Sequence, residues 1–434
     1  MNTGNPSPMQ NILIIVFTAG YLAIAFEHLI RVNKAASALL TAVICWTLLM
    51  SGVTDRDQVV HELMEHLSEI AGILFFLLGA MTIVELIDAH DGFEVILGRI
   101  GTGSNRKLLL TVSLLTFFLS AMLDNLTTAI VMVSLVRKLV ASRDDRLIFA
   151  GMVVIAANAG GAWSPIGDVT TTMLWIGGQI SPAGIIRNTF IPSALCLLPP
   201  LFGLGAGLKG NSFRPAKTQE EVESRSTHFE RTAVFYIGIS CLLIVPVFKA
   251  ITHLPPFMGM LFGLSVMWIL TEFIHNRKDE IDKDRYSVNY ALRKIDTPSI
   301  LFFLGILLAV AALGSSGVLL SLAHILTEYL KNDSLIVISM GLLSSIVDNV
   351  PLVAAAQGMY PLGQYQTDHY FWLFLAYATG TGGSILVIGS AAGVAIMGIM
   401  RIDFFSYFRK ISFWAFLGYM AGALCFILLH NLAR

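Results

Sequence analysis

Charge is what this sequence has least of. Asp, Glu, Lys and Arg together make up 13% of its 434 residues, about half the share a soluble domain carries. A chain this long cannot cover itself with so little charge, which excludes a set of ordinary soluble domains. The net charge is −1, so no basic footprint points to nucleic acid or another polyanion. Cysteine is scarce as well: Cys45, Cys196, Cys241 and Cys425 lie far apart in apolar runs, with no CxxC spacing. That excludes a disulfide scaffold and leaves them as small buried hydrophobes. No cleavable leader is expected either. No basic n-region precedes the first apolar stretch, and Glu27, His28 and Arg31 follow it, so 11–30 reads as a retained helix.

What fills the chain is apolar: 55% of residues are hydrophobic. A third of the charges fall in two short stretches, 211–231 and 276–296. Between the polar stretches lie apolar runs near the length needed to cross a hydrocarbon core, about 20 residues. They fall at 11–30, 35–53, 69–90, 107–123, 125–140, 147–180, 184–208, 231–250, 256–275, 298–324, 334–347, 350–360, 370–400 and 411–432. The expected fold class is an all-α polytopic membrane protein.

Two groups of runs are irregular. The pairs 107–123/125–140 and 334–347/350–360 are short and split by Asp-Asn, while 147–180 and 370–400 are long and interrupted by glycines. If each short pair is a re-entrant hairpin, the positive-inside rule is met. All but Arg56, Arg187, Lys249, Lys331 and Arg434 of the 28 basic residues then face the cytoplasm. Hairpin 107–140 enters from the cytoplasm and hairpin 334–360 from outside. The expected division is a first inverted repeat over 1–208 with broken helix 147–180, a cytoplasmic linker over 209–230, and a second repeat over 231–434 with broken helix 370–400. Each repeat holds five transmembrane helices and one hairpin, and both termini lie outside. Three string pairs recur in order: ILFF at 73–76 and 300–303, LSAMLDN and LSSIVDN at 119–125 and 343–349, AGGAWSPIGD and TGGSILVIGS at 159–168 and 381–390.

Irregular backbone at membrane depth lines protein or a wet cavity, and in inverted-repeat transporters such breaks form the binding site. Ionisable residues there are functional candidates, which singles out Asp124, Asp168 and Asp348. The bland reading is that each only caps the half-helix that follows. Capping alone does not explain three carboxylates at one predicted interface. Hydroxyls and amides accompany them: Asn125, Thr127, Thr128, Asn158, Ser164, Thr170, Thr171, Ser344, Asn349 and Ser384. Singly, each is as well explained by packing or by bonding to its own helix. Together they make an oxygen-rich site expected to have no Lys or Arg nearby, which suits a hard cation. Sodium is placed at Asp124, Asn125, Asp168, Asp348 and Asn349. A carboxylate that holds either a proton or a cation is enough for exchange. Glu85, His90, His324 and Glu328 read as interface residues, and His61, Glu62, Glu65, His66 and Glu69 as a solvated external loop.

At these residues the chain resembles the NhaD-type sodium/proton antiporters of the ion transporter superfamily. The similarity covers nearly the whole chain. It is densest in SAMLDNLTTAIVM at 120–132, NAGGAWSPIGDVTTTMLWI at 158–176, SSIVDNVPLVAA at 344–355 and GTGGSILVIGSAAGVA at 380–395. Superfamily symporters of dicarboxylates carry neutral Ser-Asn-Thr at the hairpin tips, where this chain has Asp124-Asn125-Leu126-Thr127 and Asp348-Asn349-Val350-Pro351. The resemblance implies exchange of cytoplasmic Na+ or Li+ for external H+ in pH and salt homeostasis, a homodimer and elevator-like movement. It implies a bacterial inner membrane, with no cofactor, no enzymatic activity and no nucleic-acid partner. The second half departs at Ser390, where the first has Asp168, so the site is expected to be asymmetric. The alternatives are an anion, metalloid or dicarboxylate transporter on the same scaffold, a passive channel, and an intramembrane aspartyl protease. The last lacks its Gly-x-Gly-Asp, because 165–168 reads Pro-Ile-Gly-Asp.

Overall fold

The computed structural model describes residues 8–52, 55–97, 104–140, 142–208, 227–275 and 286–433. Among these the chain is helical, with no strand. The first half runs through α1 (Pro8–Ala25), α2 (Lys34–Gly52), α3 (Arg56–Ala89), α4 (Asn105–Ser120), α5 (Asn125–Leu139), α6 (Arg143–Gly161), α7 (Val169–Ile176), α8 (Pro182–Cys196) and α9 (Leu198–Gly207). The second runs through α10 (His228–Leu243), α11 (Val245–Thr252), α12 (Pro256–His275), α13 (Val288–Lys294), α14 (Thr297–Ser315), α15 (Val318–Leu330), α16 (Asp333–Leu343), α17 (Asn349–Met359), α18 (Tyr370–Gly382), α19 (Ala391–Met400) and α20 (Phe413–Ala433). Among the described residues six helical stretches are long and apolar enough to cross a membrane, and the α10–α11 pair, bent by 43°, makes a seventh if it counts as one span. The protein is a multi-pass, all-α membrane protein.

Local chemistry sets the boundaries. Ser104, Ser142 and Ser181 cap α4, α6 and α8 by accepting a backbone N–H, and Thr227 with Glu230 forms a capping box on α10. Proline in the first turn of α8, α11 and α14 costs no hydrogen bond there. Two expectations are corrected. The run 298–324 is not one segment: Gly317 adopts φ 78 and separates α14 from α15, a conformation glycine reaches without Cβ strain. The external loop around Glu62 and Glu65 is instead the exposed first turns of α3, started by Asp55 accepting from the N–H of Gln58 at 3.2 Å. Most of the linker over 209–230 lies outside the described residues, as do Arg99, Lys209 and Arg277. Its last residues, from His228, open α10.

The two broken runs form the centre. Every residue from Phe149 to Ala162 and from Phe371 to Ile385 is buried, which is why these runs are apolar or small on all sides. Lipid offers little hydrophobic drive between helices, so close packing and interhelical hydrogen bonds of about 0.6 kcal/mol each hold such a bundle. Tyr377 donates to the Tyr419 carbonyl at 2.8 Å, Tyr419 to Ile338 at 3.0 Å, and Tyr407 to Ser384 at 2.8 Å. The halves interlock crosswise. α5 packs on α19, α17 on α7, and α2 on α14. All four cysteines are free.

Candidate ion-binding site

Both Asp-Asn breaks are unwound turns between half-helices, and each glycine-rich break opens a gap inside a buried helix. The gaps free backbone carbonyls, and side chains satisfy several of them. Ser120 donates to the Ala157 carbonyl at 2.6 Å, Ser164 to Ala121 at 2.5 Å, Thr172 to Pro165 at 3.0 Å and Ser344 to Thr379 at 2.8 Å. These bonds meet the demand that polar backbone at membrane depth be paired. The hairpin tips press directly on the breaks. A Cβ on Gly167 would stand 2.7 Å from the Ser120 carbonyl oxygen, and one on Gly389 2.5 Å from that of Ser345.

Four half-helix N-termini meet here, those of α5, α7, α17 and α19. Asp124 caps α5 through the Thr127 N–H at 2.8 Å and also accepts the Thr127 hydroxyl at 2.7 Å. Asp168 caps α7 through the Thr170 N–H at 3.0 Å. Asp348 caps α17 through the Val350 N–H at 3.3 Å, and its own N–H donates to the Tyr21 hydroxyl at 3.2 Å. Ser390 caps α19 through the Gly393 N–H at 3.2 Å. The capping reading is therefore correct for all three aspartates. It is incomplete, because these caps face one another across a shared cavity of about 60 Å³, space for more than one water-sized group.

Asp168 is the hub. It is 2% exposed, and its Oδ2 accepts from Asn125 Nδ2 at 2.9 Å and from Asn349 Nδ2 at 3.2 Å. Both Asn residues follow a capping Asp, so each hairpin sends one amide to the same carboxylate. Asn125 also donates to Asn158 Oδ1 at 3.1 Å, and Asn158 in turn donates to Ser384 at 3.0 Å and Ser390 at 2.9 Å. A chain of amides thus runs from Asp168 to Ser390. Each of these bonds to Asp168 is one it accepts, the pattern of a carboxylate whose charge is met by dipoles. Helix N-termini add positive potential at the same place.

The remaining candidates divide. Thr127 belongs to the Asp124 cap. The Thr171 hydroxyl bonds back to the Asp168 carbonyl at 2.9 Å, inside its own turn. Ser344 serves the freed carbonyl of Thr379 and takes no part in the amide chain. The hydroxyls of Thr128 and Thr170 are buried with no hydrogen-bond partner among the described residues. Among those residues no three His, Cys, Asp or Glu side chains cluster closely enough to hold a metal ion. A cation here would take amide, hydroxyl or water oxygens beside one or two carboxylates. Glu85 lies apart, 3.4 Å from Lys294.

One expectation fails. The site was expected to be free of Lys and Arg, yet Lys34 lines the same cavity as the aspartates, beside Ser299 and Phe303. Its Nζ rests 4.6 Å from the centroid of the Phe302 ring. Lys34 lies 90 positions before Asp124, the first of the three site aspartates, and only the packing of α2 against α14 brings it in. Tyr21 was missed for the same reason. Ser390 did carry a signal, since it stands where Asp168 stands in the recurring string.

With this geometry established, comparison with known proteins places the chain. The family model described as citrate transporter (CitMHS) matches residues 21–380. Sodium/proton antiporter 1 of Arabidopsis thaliana is 48% identical over 422 residues, covering 97% of this chain and 72% of that protein. The Na(+)/H(+) antiporter NhaD of Vibrio cholerae is 31% identical, across 96% of this chain and 91% of its own. The NhaD of Alkalimonas amylolytica is 30% identical, across 95% and 89%. The chain belongs to the citrate transporter family, alongside the NhaD-type sodium/proton antiporters.

Proposed function

We propose that this protein is a secondary active transporter that exchanges cytoplasmic Na+ or Li+ for external H+ by alternating access. Ion and proton compete for Asp124, Asp168 and Asp348. The observation that carries the reading is the filling of the half-helix N-termini. Bare N-termini around a cavity make an anion site. Here three of the four are already occupied by carboxylates of the chain itself, so an added carboxylate substrate would meet three like charges. A cation or a proton relieves that repulsion. Release of one on binding of the other then gives exchange, without a separate proton path.

The family relationship and the names of the relatives support sodium/proton exchange. The three recurring string pairs support two inverted repeats, and the crosswise packing of α5 on α19 and α17 on α7 supports a pseudo-twofold arrangement. The basic residues support an orientation with both termini outside, and the bacterial cytoplasmic membrane rests on the resemblance. The homodimer and the elevator movement rest on the resemblance alone. A second reading, citrate or another carboxylate as substrate, draws on the description of the family model and on Lys34 in the cavity.

Everted vesicles acidified by respiration separate the two. Addition of Na+ or Li+ is expected to collapse the pH gradient, K+ and citrate are not, and Asp168→Asn is expected to abolish the response. Citrate flux with no sodium-linked proton movement would overturn the proposal.

A further inference from the structure

A second cavity, of about 1070 Å³, opens where the α5–α6 turn meets the connection from α19 to α20. It lies away from the aspartates and shares no lining residue with their cavity. Five of its lining residues are cationic and two are acidic. Some of this charge is already used. Lys410 pairs with Asp144 at 2.8 Å, Asp403 accepts from the Ser406 N–H at 2.9 Å, and Arg146 donates to the Val140 carbonyl at 2.6 Å. Arg146 also donates to the Arg137 carbonyl at 3.2 Å, while the guanidinium groups of Arg137, Arg143 and Arg401 make no hydrogen bond or close ion pair among the described residues. They come from three separate segments, two in the first half and one in the second. Leu147, Ile399, Met400 and Ile402 line the same cavity among the charged groups.

Topology alone would place arginines at the basic end of a membrane bundle. It does not require three of them, from both halves, to face one cleft that also presents apolar side chains. Guanidinium groups with donors to spare match phosphate oxygens in a bidentate geometry. Apolar side chains beside them match acyl chains, and the cleft lies at the ends of membrane helices. We infer that this cleft binds the phosphate headgroup of an anionic phospholipid. The lipid links Arg137 and Arg143 of the first half to Arg401 of the second, parallel to the Lys410–Asp144 pair.

The test uses the full chain in detergent, with thermal unfolding and native mass spectrometry as readouts. Phosphatidylglycerol or cardiolipin is expected to raise Tm by at least about 3 °C over phosphatidylcholine, and to remain bound on transfer to vacuum. The triple variant Arg137→Gln/Arg143→Gln/Arg401→Gln should lose both effects. If that variant is too unstable to purify, Arg137→Lys/Arg143→Lys/Arg401→Lys keeps the charge and should retain lipid more weakly than wild type. Equal stabilisation by phosphatidylcholine, or retention undiminished in the variants, would overturn the assignment. An equal Tm rise from inorganic phosphate without lipid would overturn it in favour of a soluble anion.

Discussion

Asp168 and Ser390 occupy matching places in the two broken helices and differ in one respect that matters. The backbone is the same at both: φ −147 and ψ 147 at Asp168, φ −145 and ψ 151 at Ser390. Each caps the half-helix that follows, and each stands one residue after a glycine against which a hairpin tip is pressed. Asp168 gathers two amides from opposite hairpins, whereas Ser390 accepts one from Asn158. The fold thus builds the same position twice, and the sequence puts charge in only one of them. Duplicated geometry does not require duplicated chemistry.

The largest expected effect breaks the charged member. Asp168→Asn keeps the shape and should lower sodium-dependent proton movement in proteoliposomes by at least about 100-fold, the order of loss when a directly acting group is removed. Asp124→Asn should behave alike. Ser390→Ala should leave exchange within several-fold of wild type and lower stability by about 1 kcal/mol, the worth of a cap, read as a modest fall in Tm. Equal losses in Asp168→Asn and Ser390→Ala would erase the asymmetry.

Next come the shared glycines. Gly167→Ala and Gly389→Ala should each destabilise the protein by about 1–3 kcal/mol through overpacking, since both press on hairpin carbonyls. A Tm loss at only one of them would break the geometric half of the comparison.

A smaller change concerns Lys34, whose charge reaches the cavity from one side only. Lys34→Gln should lower the KM for Na+ about 3-fold, more at low salt, because a like charge is removed. Lys34→Arg should match wild type in the same titration.

The smallest effect is at the surface. Lys410 beside Asp144 holds that carboxyl below its usual range, with Arg143 assisting. A lowered carboxylate adds stability above the ordinary carboxylate pKa and loses it as pH falls through the lowered value. Lys410→Gln should therefore leave exchange unchanged and lower Tm slightly at neutral pH. The difference from wild type should fade in unfolding below about pH 4, where the carboxyl takes up its proton.

Much of this was legible in the residues. The breaks were readable because Asp-Asn and Gly-Gly cannot sit in lipid unless protein surrounds them, and the three aspartates stood out against apolar neighbours. The start of α3 was not readable as helix, since its polar face resembles a loop when only charge is counted. The break at Gly317 was hidden because one glycine in an apolar run fits a continuous helix equally well. Ser344 looked like a site residue by pattern, but the nearest unmet need proved to be the Thr379 carbonyl.

The sequence by itself determined the membrane class, the two kinds of break and the carboxylates placed at them, because burial cost and helix capping act on neighbouring residues. Only the tertiary structure decided that Asp168 is the hub, that both hairpin amides turn to it, and that Lys34 and Tyr21 join the site. Those facts depend on contacts between segments tens to hundreds of residues apart, which local spacing does not encode.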